Sequence, residues 1–333
     1  MKKNLFILLF FLSALGVGGS AGSASAAPAG KVFTVSIAHH VGEDNSWHRA
    51  SIFFKEYLEG KSGGRIKVNV FPSDQLGAET EVIRSILTDG GVDITFTGES
   101  MQSVVPEMGI LAVPYMIASS GDLRRIVNGG VGKRLEELLG KTANLAVLGF
   151  FERGPRNVTA NRPIRTPDAM KGLKIRITAS SISKAAMEAV GAKPVPMPIS
   201  QVSDAIRRGV IEAQENPLAM IATWKFYEVQ KFLCKTEHLR SWVYIVMSKP
   251  KLDSMPPDLQ DLVREAGREM QRVEHEMFLK DEILLEAFLK DNGMTFVEDV
   301  DRQAFEEVAR PAVERLLSPE VRSLYDMITS GNY

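Results

Sequence analysis

Cysteine is nearly absent: Cys234 is the only one in 333 residues. A single thiol cannot close an internal disulfide, so a disulfide-stapled scaffold is excluded. It lies in the apolar run Phe232-Leu233-Cys234, which predicts a packed and inert thiol. An excess of one charge is also missing. The formal net charge is −1 and no basic block interrupts the chain, which leaves no footprint for nucleic acid or an anionic membrane. Enzyme signatures are lacking as well. No Gly-x-Ser-x-Gly stands between a strand and a helix, as a nucleophile elbow must, and no Gly-x-Gly-x-x-Gly follows a strand. Gly140-Lys141-Thr142 looks like the end of a phosphate loop, but Leu135 stands where that loop needs glycine. The tripeptide also follows a helical run, so it is a helix terminus. His39, His40, Glu43, Asp44 and His48 crowd together without the spacing of a zinc motif, so no metal and no cofactor is expected.

What the chain does have begins at its first residues. Lys2 and Lys3 precede an apolar run from Leu5 to Val17, and small residues follow up to Ala29. A positive start, an apolar stretch and Ala24-Ser25-Ala26 make a secretory signal, with the mature chain starting at Ala27. The apolar run, about 13 residues, is too short for the ~20 that span a bilayer. The expected location is therefore the periplasm, with residues 1–26 removed. The rest is too long for one ordinary core and predicts two lobes.

Strand and helix patterns alternate through the first half. Val32–Ile37 and Ile66–Phe71 are β-rich, Trp47–Leu58 is helical, Glu81–Leu87 is helical, and Asp93–Thr97 is again a strand. The alternation resumes with Leu145–Phe151, Lys174–Ile177 and the helix Ser183–Val190. It predicts an α/β fold with largely parallel strands. A further helix is expected from Leu218 to Phe232. From Asp258 to Asn292 there is no proline and one glycine, with apolar residues at helical spacing. A helix of roughly 35 residues is about 50 Å long, more than one lobe can hold, so it should lie across both.

Three polar residues sit where an α/β fold collects ligands. In the strand Lys174–Thr178, Arg176 is near the carboxyl end and just ahead of a serine-led helix. A guanidinium there can take a carboxylate through two parallel bonds, although a surface ion pair accounts for the pattern equally simply. Arg156 has the same two readings on another strand-like run. Asn216, before Pro217, is placed to cap the helix that follows and to face an anion at its amino end.

Gln75-Leu76-Gly77, Lys171-Gly172-Leu173-Lys174-Ile175-Arg176, Pro194-Val195-Pro196-Met197-Pro198, Gln214-Glu215-Asn216-Pro217-Leu218 and Phe226-Tyr227-Glu228-Val229-Gln230-Lys231-Phe232 follow one another along the chain. In order and spacing this set resembles the solute-binding proteins of TRAP transporters, the DctP-type family. The resemblance runs over nearly the whole mature chain. It implies an α/β, two-lobed periplasmic-binding-protein fold with a long helix spanning both lobes. The expected division is 27–152 with 241–285 in lobe I, and 153–240 with 286–333 in lobe II. It further implies that Arg176 pairs with the ligand carboxylate, and that Arg156 and Asn216 contact the ligand or brace that arginine. The implied partners are a small organic acid and the two membrane subunits of a sodium-coupled permease, with the receptor acting as a monomer.

Within that family the chain is similar to sialic-acid and sugar-acid receptors. Thr95-Phe96-Thr97-Gly98-Glu99-Ser100 resembles the segment that sets a glutamate, here Glu99, against substrate hydroxyls. The chain departs from sialic-acid receptors at the first strand end, where His39-His40 and Trp47-His48 replace small polar residues. His39 is therefore a candidate contact, and Ile199 and Trp242 are candidate apolar walls. The expected function is capture of a small, hydroxylated sugar acid without chemistry. The alternatives are an unhydroxylated or aromatic acid, a module feeding a signalling receptor, the receptor of an ATP-driven importer, and a secreted hydrolase, for which no nucleophile–base pair is evident.

Overall fold

Residues 30–333 are described by the computed structural model; the expected leader and the start at Ala27 lie outside the described residues. Three strands form one flank of the sheet: β1 (Phe33–Ala38), β2 (Ile66–Phe71) and β3 (Ile94–Thr97), with β1 parallel to both others. Between them run α1 (Ser46–Lys61), capped by the Asn45 side chain on the Trp47 N–H, and α2 (Glu79–Leu87). Two 3-10 segments, Glu99–Ser103 and Pro106–Ala112, lead to α3 (Ser120–Asn128) and α4 (Gly130–Ala143). Gly140-Lys141-Thr142 lies in the last turn of α4, a helix terminus as expected.

The centre of the sheet is an antiparallel pair that the alternating pattern does not predict. β4 (Leu145–Ala160) runs beside β8 (Phe232–Ser248), two strands of 16 and 17 residues that belong to both halves of the molecule. The opposite flank holds β5 (Lys174–Ile177), β6 (Lys193–Pro196) and β7 (Ala213–Asn216), with β9 (Thr295–Val297) beside β8. Its helices are α5 (Ser181–Ala189), α6 (Val202–Arg207) and α7 (Leu218–Thr223). The strand order is β2-β1-β3-β8-β4-β7-β5-β6, so parallel flanks meet an antiparallel centre.

The helix expected over Leu218–Phe232 stops at Thr223. Lys225 turns left-handed at φ 51°, Phe226 is fully buried, and Phe232 already opens β8. Asn216 is accordingly no helix cap. It ends β7, and Pro217 takes the capping position.

β4 and β8 exchange partners halfway along. Arg153 opposes Ser241 and Arg156 opposes Leu239, so Gly154 and Pro155 bulge against the single residue Arg240. A bulge breaks the ladder and bends the strand.

After α8 (Lys249–Asp253), α9 (Pro257–Asp291) runs 35 residues past this bulge. Leu259, Val263, Ala266 and Met270 pack with Val35, Ile37 and Phe54 on one side, and Leu289 packs with Ile221 and Phe226 on the other. One helix thus contributes to two cores. It sits directly on β4: a Cβ on Gly267 would stand 2.7 Å from the Leu148 carbonyl oxygen, so only glycine lets the backbones meet.

α10 (Arg302–Glu314) packs Phe305 and Ala309 with Val158 and Ile175. α11 (Pro319–Thr329) goes the other way. Val321, Leu324, Tyr325 and Ile328 join Leu123, Ile126 and Val131, on the side that the expected division gives to lobe I. Cys234 is buried, takes a hydrogen bond from the Ile164 N–H at 3.2 Å, and its thiol is pushed by burial up to about 11. Among the described residues no helix is long and apolar enough to cross a membrane.

The long helix also buries a carboxylate. Glu274 is 1% exposed and accepts a hydrogen bond from Ser46 Oγ at 2.9 Å, while Oε2 has no partner among the described residues. Burial raises it from 4.5 to about 8. The folded protein therefore keeps a proton that the unfolded chain releases. The stability this contributes is full below pH 4.5 and is lost as pH rises through about 8. Glu274→Gln keeps the acceptor for Ser46 and removes the ionisation. Its melting temperature should exceed that of the parent by a few degrees at pH 8 and match it at pH 5. Equal melting at both pH values would count against a buried, protonated Glu274.

Candidate functional site

The carboxyl ends of β1, β3, β5 and β7 converge on a crevice between the two flanks. Two adjoining cavities occupy it, of about 200 and 30 Å3. His40, Glu79, Arg176, Thr178 and Ile199 line both. The larger continues along Asp74, Thr80 and Pro196–Pro198, and the smaller along Trp47, Glu99, Arg153, Asn216 and Met220.

Arg176 stands at the junction. β5 holds it in place, and its Nε donates to the Met197 carbonyl at 2.9 Å. It is 4% exposed, and Nη1 has no partner among the described residues. Burial pulls its pKa down to about 10, with Glu215 opposing and Arg156 adding to the fall. A guanidinium in that state gains from an arriving anion.

The other two arginines of the region are already engaged. Arg156 is 1% exposed and lines neither cavity. It grips the Glu215 carboxylate through Nε and Nη2, and Nη2 also reaches the Glu215 carbonyl at 2.7 Å. Burial works against the charge of Arg156, but Glu215 holds its pKa above the ordinary value. Burial likewise opposes ionisation of Glu215, and Arg156 with His238 keeps it well below the usual carboxylate range. His238 Nε2 lies 3.2 Å from the same carboxylate. Arg153, which the sequence does not single out, donates through Nη1 to both oxygens of Glu99, at 2.9 and 2.7 Å. Burial would raise the Glu99 pKa, yet Arg153 and Arg156 hold it below the ordinary value. Glu99 reaches the smaller cavity as half of an ion pair.

Asn216 lines the smaller cavity beside Arg176, and its Nδ2 donates to Gln214 Oε1 at 2.6 Å. The first strand end requires a correction. His39 is 3% exposed, stacks on Phe96 with ring centroids 5.8 Å apart, and lines neither cavity. Its neighbour His40 lines both. Phe33, Val35 and Ile37 point into the core, and period-two alternation carries His39 in with them and turns His40 out. Burial, then Arg153 and Arg176, pull His40 down to about 4, so it faces the crevice as a neutral imidazole. Ile199 is a wall as expected. Trp242 is fully buried against Tyr244, and Trp47, itself buried, is the aromatic that lines the smaller cavity.

Asp74 and Glu79 escape the sequence reading, although Asp74 directly precedes Gln75-Leu76-Gly77. Burial raises both, Asp74 to about 6, and no salt bridge to either is found among the described residues. The crevice thus sets one buried cation against a wall of hydrogen-bond acceptors. The arrangement suits binding of a polar anion.

Comparison with known proteins follows the same line. Residues 37–319 match the family model described as bacterial extracellular solute-binding protein, family 7. A solute-binding protein of Roseobacter denitrificans is 36% identical over 307 residues, covering 92% of this chain and 94% of its own. Its structure, a TRAP periplasmic solute-binding protein with bound L-galactonate, has a TM-score of 0.86 over 90% of this chain and 99% of its own. The 2,3-diketo-L-gulonate-binding periplasmic protein of Escherichia coli is 31% identical over 80% of this chain and 81% of its own. A TRAP solute-binding protein of Sulfitobacter with bound β-D-galacturonate is 25% identical, with a TM-score of 0.86 over 89% of this chain and 99% of its own. The chain belongs to the bacterial extracellular solute-binding proteins of family 7, the DctP-type receptors of TRAP transporters.

Proposed function

We propose that this protein captures a hydroxylated sugar acid in the periplasm and delivers it to the membrane subunits of a TRAP-type permease. The observation that carries this is Arg176, a buried guanidinium with an unpartnered Nη1 at the junction of two cavities. A planar carboxylate matches its fork and restores the charge that burial disfavours. The ligands of the relatives support the class: L-galactonate, β-D-galacturonate and 2,3-diketo-L-gulonate all join a carboxylate to an oxygen-rich chain.

In this assignment Arg176 takes the carboxylate with Asn216 and Thr178 beside it. Arg156 acts through Glu215 to keep Arg176 free for the ligand, and Glu99 fixes Arg153. His40 and Glu79 meet the hydroxyls in the place first expected for His39 and Glu99. The two lobes divide at 152/153 and 240/241, beside the bulge, and the last helix, 319–329, goes with the first lobe. Closure about the bulge traps the acid, and no bond is made or broken.

A melting-temperature screen tests the class. L-Galactonate, D-galacturonate and D-glucuronate are set against succinate and benzoate at equal concentration. An acid at 100 times its Kd adds about 2.7 kcal/mol of stability, an upward shift of several degrees. Sugar acids should give the largest shifts. A response only to benzoate or succinate would overturn the hydroxylated class, and no response to any acid would overturn acid capture itself.

A further inference from the structure

Arg176 fixes one end of a bound acid, and the two cavities decide where the rest goes. The smaller, about 30 Å3, has room for no more than a few water molecules. The larger, about 200 Å3, is the only one of the two that accepts a chain. Its lining, apart from the residues common to both, includes Asp74.

Asp74 is held there at some expense. Ser73 and Asp74 are consecutive non-glycine residues in the left-handed region, at φ 54° and 59°. Such backbone persists only where the surroundings impose it, and it gathers at ligand sites. Here the clamp is visible. The Ser73 N–H donates to the Val41 carbonyl at 3.0 Å, and the Asp74 carbonyl accepts from the Gly77 N–H at 2.9 Å. The Asp74 carboxylate has the Ser200 hydroxyl as a hydrogen-bond partner, but its buried Oδ1 has none among the described residues. An acceptor in this condition loses free energy until a donor arrives. No cationic side chain pairs with it among the described residues.

We propose that Asp74 reads the length of the ligand, accepting hydrogen bonds from hydroxyls at the far end of a six-carbon acid whose carboxylate lies on Arg176. This rests on the sugar-acid assignment above and narrows it to hexonates and hexuronates. A four-carbon acid occupies the same carboxylate position and ends short of Asp74. The backbone turn serves this role, because it sets a carboxylate over the cavity that a relaxed strand end would direct elsewhere.

The test uses calorimetry with L-galactonate and D-erythronate, acids of six and four carbons that both end in a 2-hydroxycarboxylate. The protein is compared as parent, Asp74→Asn and Asp74→Ala. Asparagine tolerates the left-handed backbone, so Asp74→Asn keeps the turn while removing the charge. A hydrogen bond to a charged group sets the scale: Asp74→Ala should weaken L-galactonate about tenfold to a hundredfold. Asp74→Asn should fall between parent and Asp74→Ala, and D-erythronate should change less than about twofold in both. Equal weakening of both acids, or of neither, overturns the length assignment. So does tight binding of an ammonium-bearing acid that Asp74→Asn abolishes, because Asp74 would then be a cation site. Failure of the underlying assignment is separately visible, since the parent would then bind neither acid, or Arg176→Ala would bind both normally.

Discussion

Arg176→Ala weakens sugar-acid binding by roughly 30-fold to several thousandfold, the range found when one member of a buried charge pair is truncated. The size follows from burial. Arg176 is 4% exposed, and a ligand carboxylate that reaches it leaves water to do so. Without the guanidinium that carboxylate meets no cation free of an ion pair, because Arg153 and Arg156 are paired with Glu99 and Glu215. Arg176→Lys should also lose most of the affinity, since a point charge cannot reproduce two parallel bonds in one plane. The unliganded protein behaves differently. Burial already disfavours the charge of Arg176, and its partners are one carbonyl and the incoming ligand. The melting temperature of unliganded Arg176→Ala should therefore equal or exceed that of the parent. Near-native affinity in Arg176→Ala, read by calorimetry, would end the carboxylate assignment. A large loss of unliganded stability would turn Arg176 into a structural residue.

The sequence carries the flanks of this fold well and its centre poorly. Ile66–Phe71 and Lys174–Ile177 are short alternating runs bounded by turn residues, and both strands appear at those bounds. The long helix is equally legible, because 35 residues with one glycine and a continuous apolar stripe have little else to become. Phe232–Ser248 fails the same reading. It is buried on both faces along most of its length, so alternation disappears and the apolar run before it resembles a helix. The site divides likewise. Arg176 is recoverable from strand phase and Asn216 from its motif, but their use depends on which groups are left unpaired. Nothing at Arg153 or Glu215 in the sequence reveals that each is consumed by an ion pair across the sheet. His39 is different: the phase of Phe33, Val35 and Ile37 already directs it inward, and counting along β1 selects His40 instead.

Arg156→Ala should give the largest loss of stability of any substitution in the crevice, about 3–5 kcal/mol, the cost of stripping one partner from a buried ion pair. Arg156 and Glu215 are 1% and 3% exposed and are joined by contacts to both carboxylate oxygens, with His238 as the only other partner of that carboxylate among the described residues. Removing the arginine leaves an ionised group in the interior, directly beneath the ligand site. Arg176 is another cation that Glu215 influences, so it should turn toward Glu215 and be lost to the ligand. The variant is thus expected to show two losses: a lower urea midpoint without ligand, and weaker sugar-acid binding at temperatures where it is still folded. Adding Glu215→Gln separates the causes. It removes the orphaned charge, so the double variant should regain part of the stability and release Arg176 to the ligand, a coupling that single substitutions cannot show. If Arg156→Ala lies within about 1 kcal/mol of the parent, the pair is no more than a surface-strength bridge despite its burial. If the double variant is as weak in binding as Arg156→Ala alone, Arg156 touches the ligand itself and does not act by holding Glu215 away from Arg176.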